Sequence, residues 1–503
     1  MTALSELLPA GGAGKVMDFV ASGTLPNGKA VVLKSDGTVE VVGESGTPVA
    51  ESIPAGSAAV FNSGGSIYNF VAFDPNTANK FVVVCRDGGN SGYGTAIVGT
   101  VNGTVLSFGS EVVFNSGDTR YISVSFDPNT ANKFVIAYQD GGNSNYGGAI
   151  VGTISGTTLS FGSEVVFNSS NTYHTFVAFD PNNAGKFVVA YKDVGNTGNG
   201  EAIVGTVSGT AITYGSAYAF NSGFTGDISA AFDPNNAGKF VVAYVDYGNS
   251  NYGTAIVGTV SGTTISFGSE VVFNSATTTY TSASFDPNTA GKFVVTYQDS
   301  GNSSYGTAIV GTVSGTTISF GSEAVFNSSP TYYISVSFDP NTANKFVVTY
   351  KDGGNSNYGT VIVGTVSGTS ISYGSEFVFE SARSDHISVA FDPNTAGKFV
   401  VVYLDDANSS YGTAIVGQIA ATVQATNLTT SNFVGITSKA ISDTATGPIT
   451  LQGGISTNQS SLTVGSTYYV QANGTVSTVS TSPAVNIGKA LNATTLKLKG
   501  LSV

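Results

Sequence analysis

The tripeptide Phe-Asp-Pro begins at Phe73, Phe126, Phe179, Phe232, Phe285, Phe338 and Phe391, and every interval is 53 residues. A second marker keeps the same step through Phe61, Phe114, Phe167, Phe220, Phe273, Phe326 and Phe379. Seven copies without an insertion or deletion restrict the chain to folds that repeat one supersecondary unit against its neighbour. Each copy reads as four strands. In the second copy they span 121–126, 133–138, 148–154 and 157–167, with Ile122-Ser123-Val124-Ser125-Phe126 alternating between apolar and small residues. Asp127-Pro128-Asn129-Thr130-Ala131-Asn132, Asp140-Gly141-Gly142-Asn143 and Ser155-Gly156 supply the turns between them. Four-stranded units of this length, repeated in a ring, are the signature of a β-propeller. An open β-solenoid is the alternative, but its coils are shorter and no polar caps flank the repeats. The expectation is an all-β chain: a β-hairpin segment at 1–48, a seven-bladed propeller at 49–420, and a β-rich module at 421–503 for anchoring or oligomerisation.

The phase of the ends points to a closed ring. The strand ending in Phe61 precedes any Phe-Asp-Pro, whereas the seventh copy stops after its third strand, at 412–420. The segment 52–61 therefore supplies the missing fourth strand. Closing such a ring costs on the order of 5 kcal/mol of loop entropy. Burying Ile53, Val60 and Phe61 would offset it at about 1.5–3 kcal/mol each, and sealing the ring removes aggregation-prone edges.

Composition narrows the function. With 64 Gly, no Trp and only 10% charged residues, the chain favours twisted strands and tight turns. A net charge of −13 argues against a nucleic-acid partner. Cys85 is the single cysteine, so no intrachain disulfide forms. The first residues carry no basic stretch followed by an apolar run, and no segment is apolar enough to insert in a membrane. Synthesis in a cytoplasm without an export signal is expected.

Comparing the copies with one another separates two ends. The Asp-Pro-Asn loop is almost constant and reads as a self-stabilised turn. The loop entering the first strand varies, and one equivalent position holds Tyr68, Tyr121, His174, Asp227, Tyr280, Tyr333 and His386. Both histidines of the protein fall in this set. On the same end the second-to-third loop carries Tyr93, Tyr146, Asn199, Tyr252, Tyr305, Tyr358 and Tyr411. Such a rim offers flat apolar faces with hydrogen-bonding edges, which suits a sugar or a protein partner; the structural alternative is that these tyrosines cover the ends of the blades. Arg86, Arg120 and Arg383 also belong to this end and form a candidate site for a carboxylate or acidic sugar.

Other chemistry is weaker. Asp87, Asp140, Asp193, Asp246, Asp299, Asp352 and Asp405 each precede an Asn by three residues. A calcium loop needs more oxygens than one carboxylate, so these read as turn anchors rather than metal ligands. Nearly every polar residue recurs in each copy, which dilutes any unique acid–base set. The arginine trio resembles that of sialidases only loosely, because the further acidic and tyrosine partners cannot be assigned. Cys85 stands where the other copies have Tyr and reads as packing. No enzyme activity, cofactor or metal is expected.

Beyond residue 420 the period ends. Phe433-Val434-Gly435-Ile436, Ile441-Ser442-Asp443-Thr444-Ala445-Thr446-Gly447, Ser466-Thr467-Tyr468-Tyr469-Val470-Gln471 and Gly488-Lys489-Ala490-Leu491 follow. This run, over roughly 430–499, resembles the terminal module of tailed-phage virion proteins, especially of marine and cyanobacterial phages, and the propeller repeats are similar to repeats in such proteins. The resemblance implies a non-enzymatic structural or adhesive role as a tail fibre or a capsid or neck appendage. It implies location on the virion, contact with other virion proteins and with a host surface glycan or receptor, and a homo-oligomer, for which a trimer is the expectation. A bacterial surface or secreted glycan-binding propeller is the alternative, and a glycan-cleaving propeller ranks third.

Overall fold

The computed structural model describes residues 15–43, 53, 56–419, 427–429, 431–471, 474–480 and 485–499. The chain divides into two compact units, one formed by Glu51–Ala421 and the other by both ends of the chain.

The larger unit is a succession of four-stranded antiparallel repeats. In the second copy the first strand is the end of Val112–Phe126, followed by Lys133–Asp140 and Tyr146–Ser155. The fourth strand, expected as one piece, is broken into Thr158–Phe161 and Val165–Asn168. The break falls at Gly162-Ser163-Glu164, where a Cβ on Gly162 would collide with the carbonyl oxygen of Thr210 in the next copy. Glu164 then reaches back to accept a hydrogen bond from Tyr138 Oη at 3.0 Å.

The second strand is apolar without alternation, and its packing explains why. Phe134, Ile136 and Tyr138 face Val82, Val84 and Val98 of the preceding copy. Val135 and Ala137 face Phe187, Val189 and Tyr191 of the following one. Both faces are buried, so both need apolar residues. Across the sheet, Phe134 pairs with Gly152, where any side chain would run into the phenyl ring.

Neighbouring copies are also tied by hydrogen bonds. Val177 N–H donates to Ser123 Oγ at 3.0 Å, and Ala283 N–H to Ser229 Oγ at 3.0 Å. The Asp-Pro-Asn loops are the turns expected, with Asn129 N–H donating to Asp127 Oδ1 at 2.9 Å. They also link copies: Asn76 Nδ2 donates to the Pro128 carbonyl at 3.1 Å and Asn182 Nδ2 to that of Pro234 at 3.2 Å.

The last copy meets the first in the same way. Val71 N–H donates to Ser388 Oγ at 3.3 Å, and Tyr411–Ala414 pairs with residues from Gly65 back to Ala59. Phe61 is 4% exposed, between Phe81 and Val83 of the first copy and Val400 and Val402 of the last. Ile53 is buried against Phe379, Phe399 and Tyr403. Val60 departs from expectation: it is 42% exposed, because successive side chains of a strand point to opposite faces and Phe61 takes the inner one. Ser52 lies outside the described residues.

The segments 1–48 and 421–503, read as separate from sequence, share one sheet. Its strand order is Val16–Val20, Thr446–Leu451, Phe433–Thr437, Ala30–Leu33 and Val39–Val41. The expected hairpin is present, with Val31 opposite Val41 and Lys34 N–H donating to the Thr38 carbonyl. A second sheet contains Thr467–Val470, Val485–Asn492 and Thr495–Leu498. Val32, Phe433, Ile436, Val470, Ile487 and Leu496 form the core of this unit. No helix among the described residues is long and apolar enough to cross a membrane.

Candidate functional site

The seven variable positions occupy one structural feature. In each copy the pairing between first and second strands skips two residues, from Ile67 to Phe70, from Arg120 to Ser123, and so on to Asp385 and Ser388. The first skipped residue is Tyr68, Tyr121, His174, Asp227, Tyr280, Tyr333 or His386, and every one has φ between 43° and 55°. This left-handed conformation costs a residue with a Cβ about 1–2 kcal/mol, and a bulge of this kind re-aims the side chain.

The re-aimed side chains meet one another. Ring centroids are 5.2 Å apart for Tyr68–Tyr121, 5.1 Å for Tyr121–His174, 5.4 Å for Tyr280–Tyr333, 4.9 Å for Tyr333–His386 and 5.4 Å for His386–Tyr68. Asp227 completes the circuit: its Oδ2 accepts from Tyr280 N–H at 2.8 Å and its Oδ1 lies 3.7 Å from His174 Nδ1. All seven are half-buried. Burial pushes the Tyr121 and Tyr280 hydroxyls up to about 12 and the His386 imidazole down to about 4. It also lowers His174, against the pull of Asp227. At neutral pH the circuit therefore presents neutral phenols and imidazoles, hydrogen-bonding groups on aromatic faces.

The arginines are brought to the same end, but not as free cations. Arg86 Nε donates to Asp118 Oδ1 at 2.6 Å and Arg120 Nη2 lies 2.7 Å from Asp118 Oδ2. Arg383 Nη2 is 2.8 Å from Asp385 Oδ2, and Lys351 Nζ is 2.7 Å from Asp385 Oδ1. Burial opposes ionisation of both carboxyls, but the cations outweigh it and hold both below the usual carboxylate range. The expected trio is thus two ion-paired clusters. Asp118-Thr119-Arg120 and Arg383-Ser384-Asp385 carry the signal for this, since residues two apart on a strand share a face.

The second-to-third loops hold the turn anchors. Asp87 Oδ1 accepts from Gly89 N–H and Asp140 Oδ1 from Gly142 N–H, each at 2.9 Å. Asn115 Nδ2 adds a bond to Asp140 Oδ1 at 2.9 Å. Tyr93, Tyr146 and their equivalents open the third strand, half-buried and outside the aromatic circuit. Cys85 is 3% exposed in the core, where burial raises its thiol to about 12. The opposite, Asp-Pro-Asn end holds an open depression lined largely by Phe, Val, Ala and Pro, with Phe70, Val124, Phe126 and Phe285 at its middle.

No protein-family model matches the chain, and no curated protein does. Among solved structures it is similar to the BP39L lectin from Burkholderia pseudomallei, at 11% identity and a TM-score of 0.53 over 71% of this chain and 97% of that one. It is also similar to Sqt1 from Chaetomium thermophilum (14% identity, TM-score 0.44, 71% and 85% covered) and Sqt1 from Saccharomyces cerevisiae (10%, 0.44, 74% and 100%). The likeness to the lectin is one of fold, and it makes the repeated four-stranded unit of this chain propeller-like.

Proposed function

We propose that the chain is a non-enzymatic, seven-bladed β-propeller, sealed by the strand through Phe61, that binds glycans at the end carrying Tyr68 and its six equivalents. Support for the closed ring comes from the contacts between last and first copies: the Val71–Ser388 hydrogen bond, and the circuit that returns from His386 to Tyr68.

The observation that carries the glycan reading is the bulge. Every copy keeps a Tyr, His or Asp in a strained left-handed conformation that points it at its neighbours. Strain retained at equivalent positions is a mark of function, and neutral aromatic faces with polar edges stack on sugar rings while bonding their hydroxyls. A glycan array with the full chain tests this. Binding is expected, and Tyr121→Ala and Arg120→Ala are expected to weaken it. An array without binding, or one unaffected by Tyr121→Ala, refutes the reading.

The resemblance of residues 430–499 favours a second layer to the same reading. The protein sits on a phage particle as a tail fibre or a capsid or neck appendage, as a homo-oligomer. The unit built from both chain ends anchors it to other virion proteins, and the propeller faces the host surface. Mass spectrometry of purified particles checks this, and absence of the chain from them refutes it.

A further inference from the structure

One sector of the rim departs from the repeat. Position 86 and its equivalents hold Arg86, Gln139, Lys192, Val245, Gln298, Lys351 and Leu404. Arg86 and Lys351 each have a carboxylate, Asp118 and Asp385, and Gln139 Nε2 donates to Asn171 Oδ1 at 3.0 Å. Lys192 has none of these. Phe224 occupies the place of Asp118, and the Lys192 ammonium lies 3.2 Å from its ring centroid and 5.7 Å from that of Tyr247. Lys192 is 5% exposed, and no hydrogen bond or ion pair holds its Nζ among the described residues.

The two rings form a shelf. Phe224 is 50% and Tyr247 39% exposed, the most exposed aromatic side chains among the described residues. Their centroids are 5.6 Å apart, and Tyr247 N–H donates to the Phe224 carbonyl at 2.9 Å. Tyr247 lies over Gly226, where a Cβ would stand 2.5 Å from the ring. The other copies have Ile67, Arg120, Tyr173, Thr279, Tyr332 or Asp385 at that position. A bare backbone here leaves the space that Tyr247 fills.

We propose that this shelf binds a carboxylate-bearing pyranose, its ring stacked on Phe224 and Tyr247 and its carboxylate giving Lys192 the partner that Asp118 gives Arg86, with the Phe224 ring shifting off the ammonium to admit it. The proposal rests on the glycan reading above and names the ligand class and the sector. Desolvation by burial lowers the Lys192 ammonium to about 8, against the pull of Asp227, so it is largely charged at neutral pH. Asp227 itself is engaged by Tyr280 N–H and faces His174. A cation set among the rings of Phe224, Tyr247 and Tyr173, with Asp227 acting on it from a distance, gains a stronger, charge-assisted partner when a carboxylate arrives.

The test is calorimetric titration of the full chain with sialyllactose, a galacturonic acid trimer and lactose. At least one acidic sugar is expected to bind about tenfold or more tighter than lactose, and which one does so separates sialic from uronic acids. Lys192→Met is expected to abolish that preference, and Phe224→Leu to weaken binding of the same sugar about tenfold. Should Lys192→Met fail to fold, the methyl ester of the same acidic sugar replaces it, since esterification removes the charge that Lys192 would pair and keeps the ring that stacks. Lactose binding as tightly as both acidic sugars, or a preference that survives Lys192→Met or esterification of the sugar, overturns the proposal and leaves the glycan reading standing. An array and a titration both without binding overturn the two together.

Discussion

Replacing Phe61 with alanine isolates the strand that joins the ends of the repeat array. Its ring is 4% exposed and contacts residues from the first and last copies at once. It stands 6.1 Å from the Phe108 ring and over Gly412, where a Cβ would approach it to 2.5 Å. Removing a buried phenylalanine side chain costs about 3–5 kcal/mol. Phe114, the equivalent residue inside the array, is 8% exposed and packs on Tyr138 at 5.2 Å. Phe61 faces Cys85 instead of a tyrosine, which places it toward the low end, about 3 kcal/mol. Guanidinium unfolding of Phe61→Ala beside Phe114→Ala measures both. If the N-terminal strand seals the ring, the two midpoints fall by similar amounts, and Gly412→Ala lowers the midpoint by overpacking worth about 1–3 kcal/mol. If that strand is undocked, Phe61→Ala behaves as a surface change within about 0.5 kcal/mol. That result, with Phe114→Ala still destabilising, refutes the reasoning.

Three further outcomes are expected. Tyr333→Gly relieves a left-handed residue but loses the ring contacts with Tyr280 and His386, the Lys351 ammonium over the ring and packing on the cluster around Ile387, so a net loss of about 1–2 kcal/mol is expected in thermal or denaturant unfolding; a loss comparable to Phe114→Ala would make the circuit a core element. Burial lowers His386 to about 4 from an unfolded value of 6.5, so the unfolded chain binds more protons between these values and stability drops as pH falls from 6.5. The drop reaches about 3 kcal/mol below pH 4, and His386→Gln should remove that part of the pH dependence in thermal melts. Asp385, held below its ordinary 3.8, adds a loss confined to lower pH. Cys85 should resist thiol reagents at pH 8 until the chain unfolds, given its burial and raised pKa; prompt stoichiometric labelling of the native protein contradicts its placement.

The period made the strands legible, because each copy repeats the same alternation and turns. The same period puts Phe61 and Ile53 in the core, whereas Val60, apolar like them, follows the alternation of its strand to the outer face. The variable positions were visible as a set, but the bulge that unites them was not. Four of the seven are Tyr, which does not signal a left-handed backbone, and the enrichment of His and Asp there is too weak to mark the other three; the conformation is imposed by pairing on either side. Asp118 and Asp385 were legible at two-residue spacing beside Arg120 and Arg383. Phe224, Tyr247 and Lys192 escaped because their meaning lies in what the equivalent positions hold. The sheet joining Ala30–Leu33 to Phe433–Thr437 carries no local signal, since the partners are some 400 residues apart in the chain.

Hydrogen–deuterium exchange of the full chain, with and without the tightest ligand from the glycan array, tests the central claim most directly. Glycan recognition by the bulge circuit predicts slowed exchange in the segments around Tyr68, Tyr121, His174 and Asp227, with the Asp-Pro-Asn loops unchanged. Slowing confined to those loops, or to the unit built from the chain ends, would contradict it.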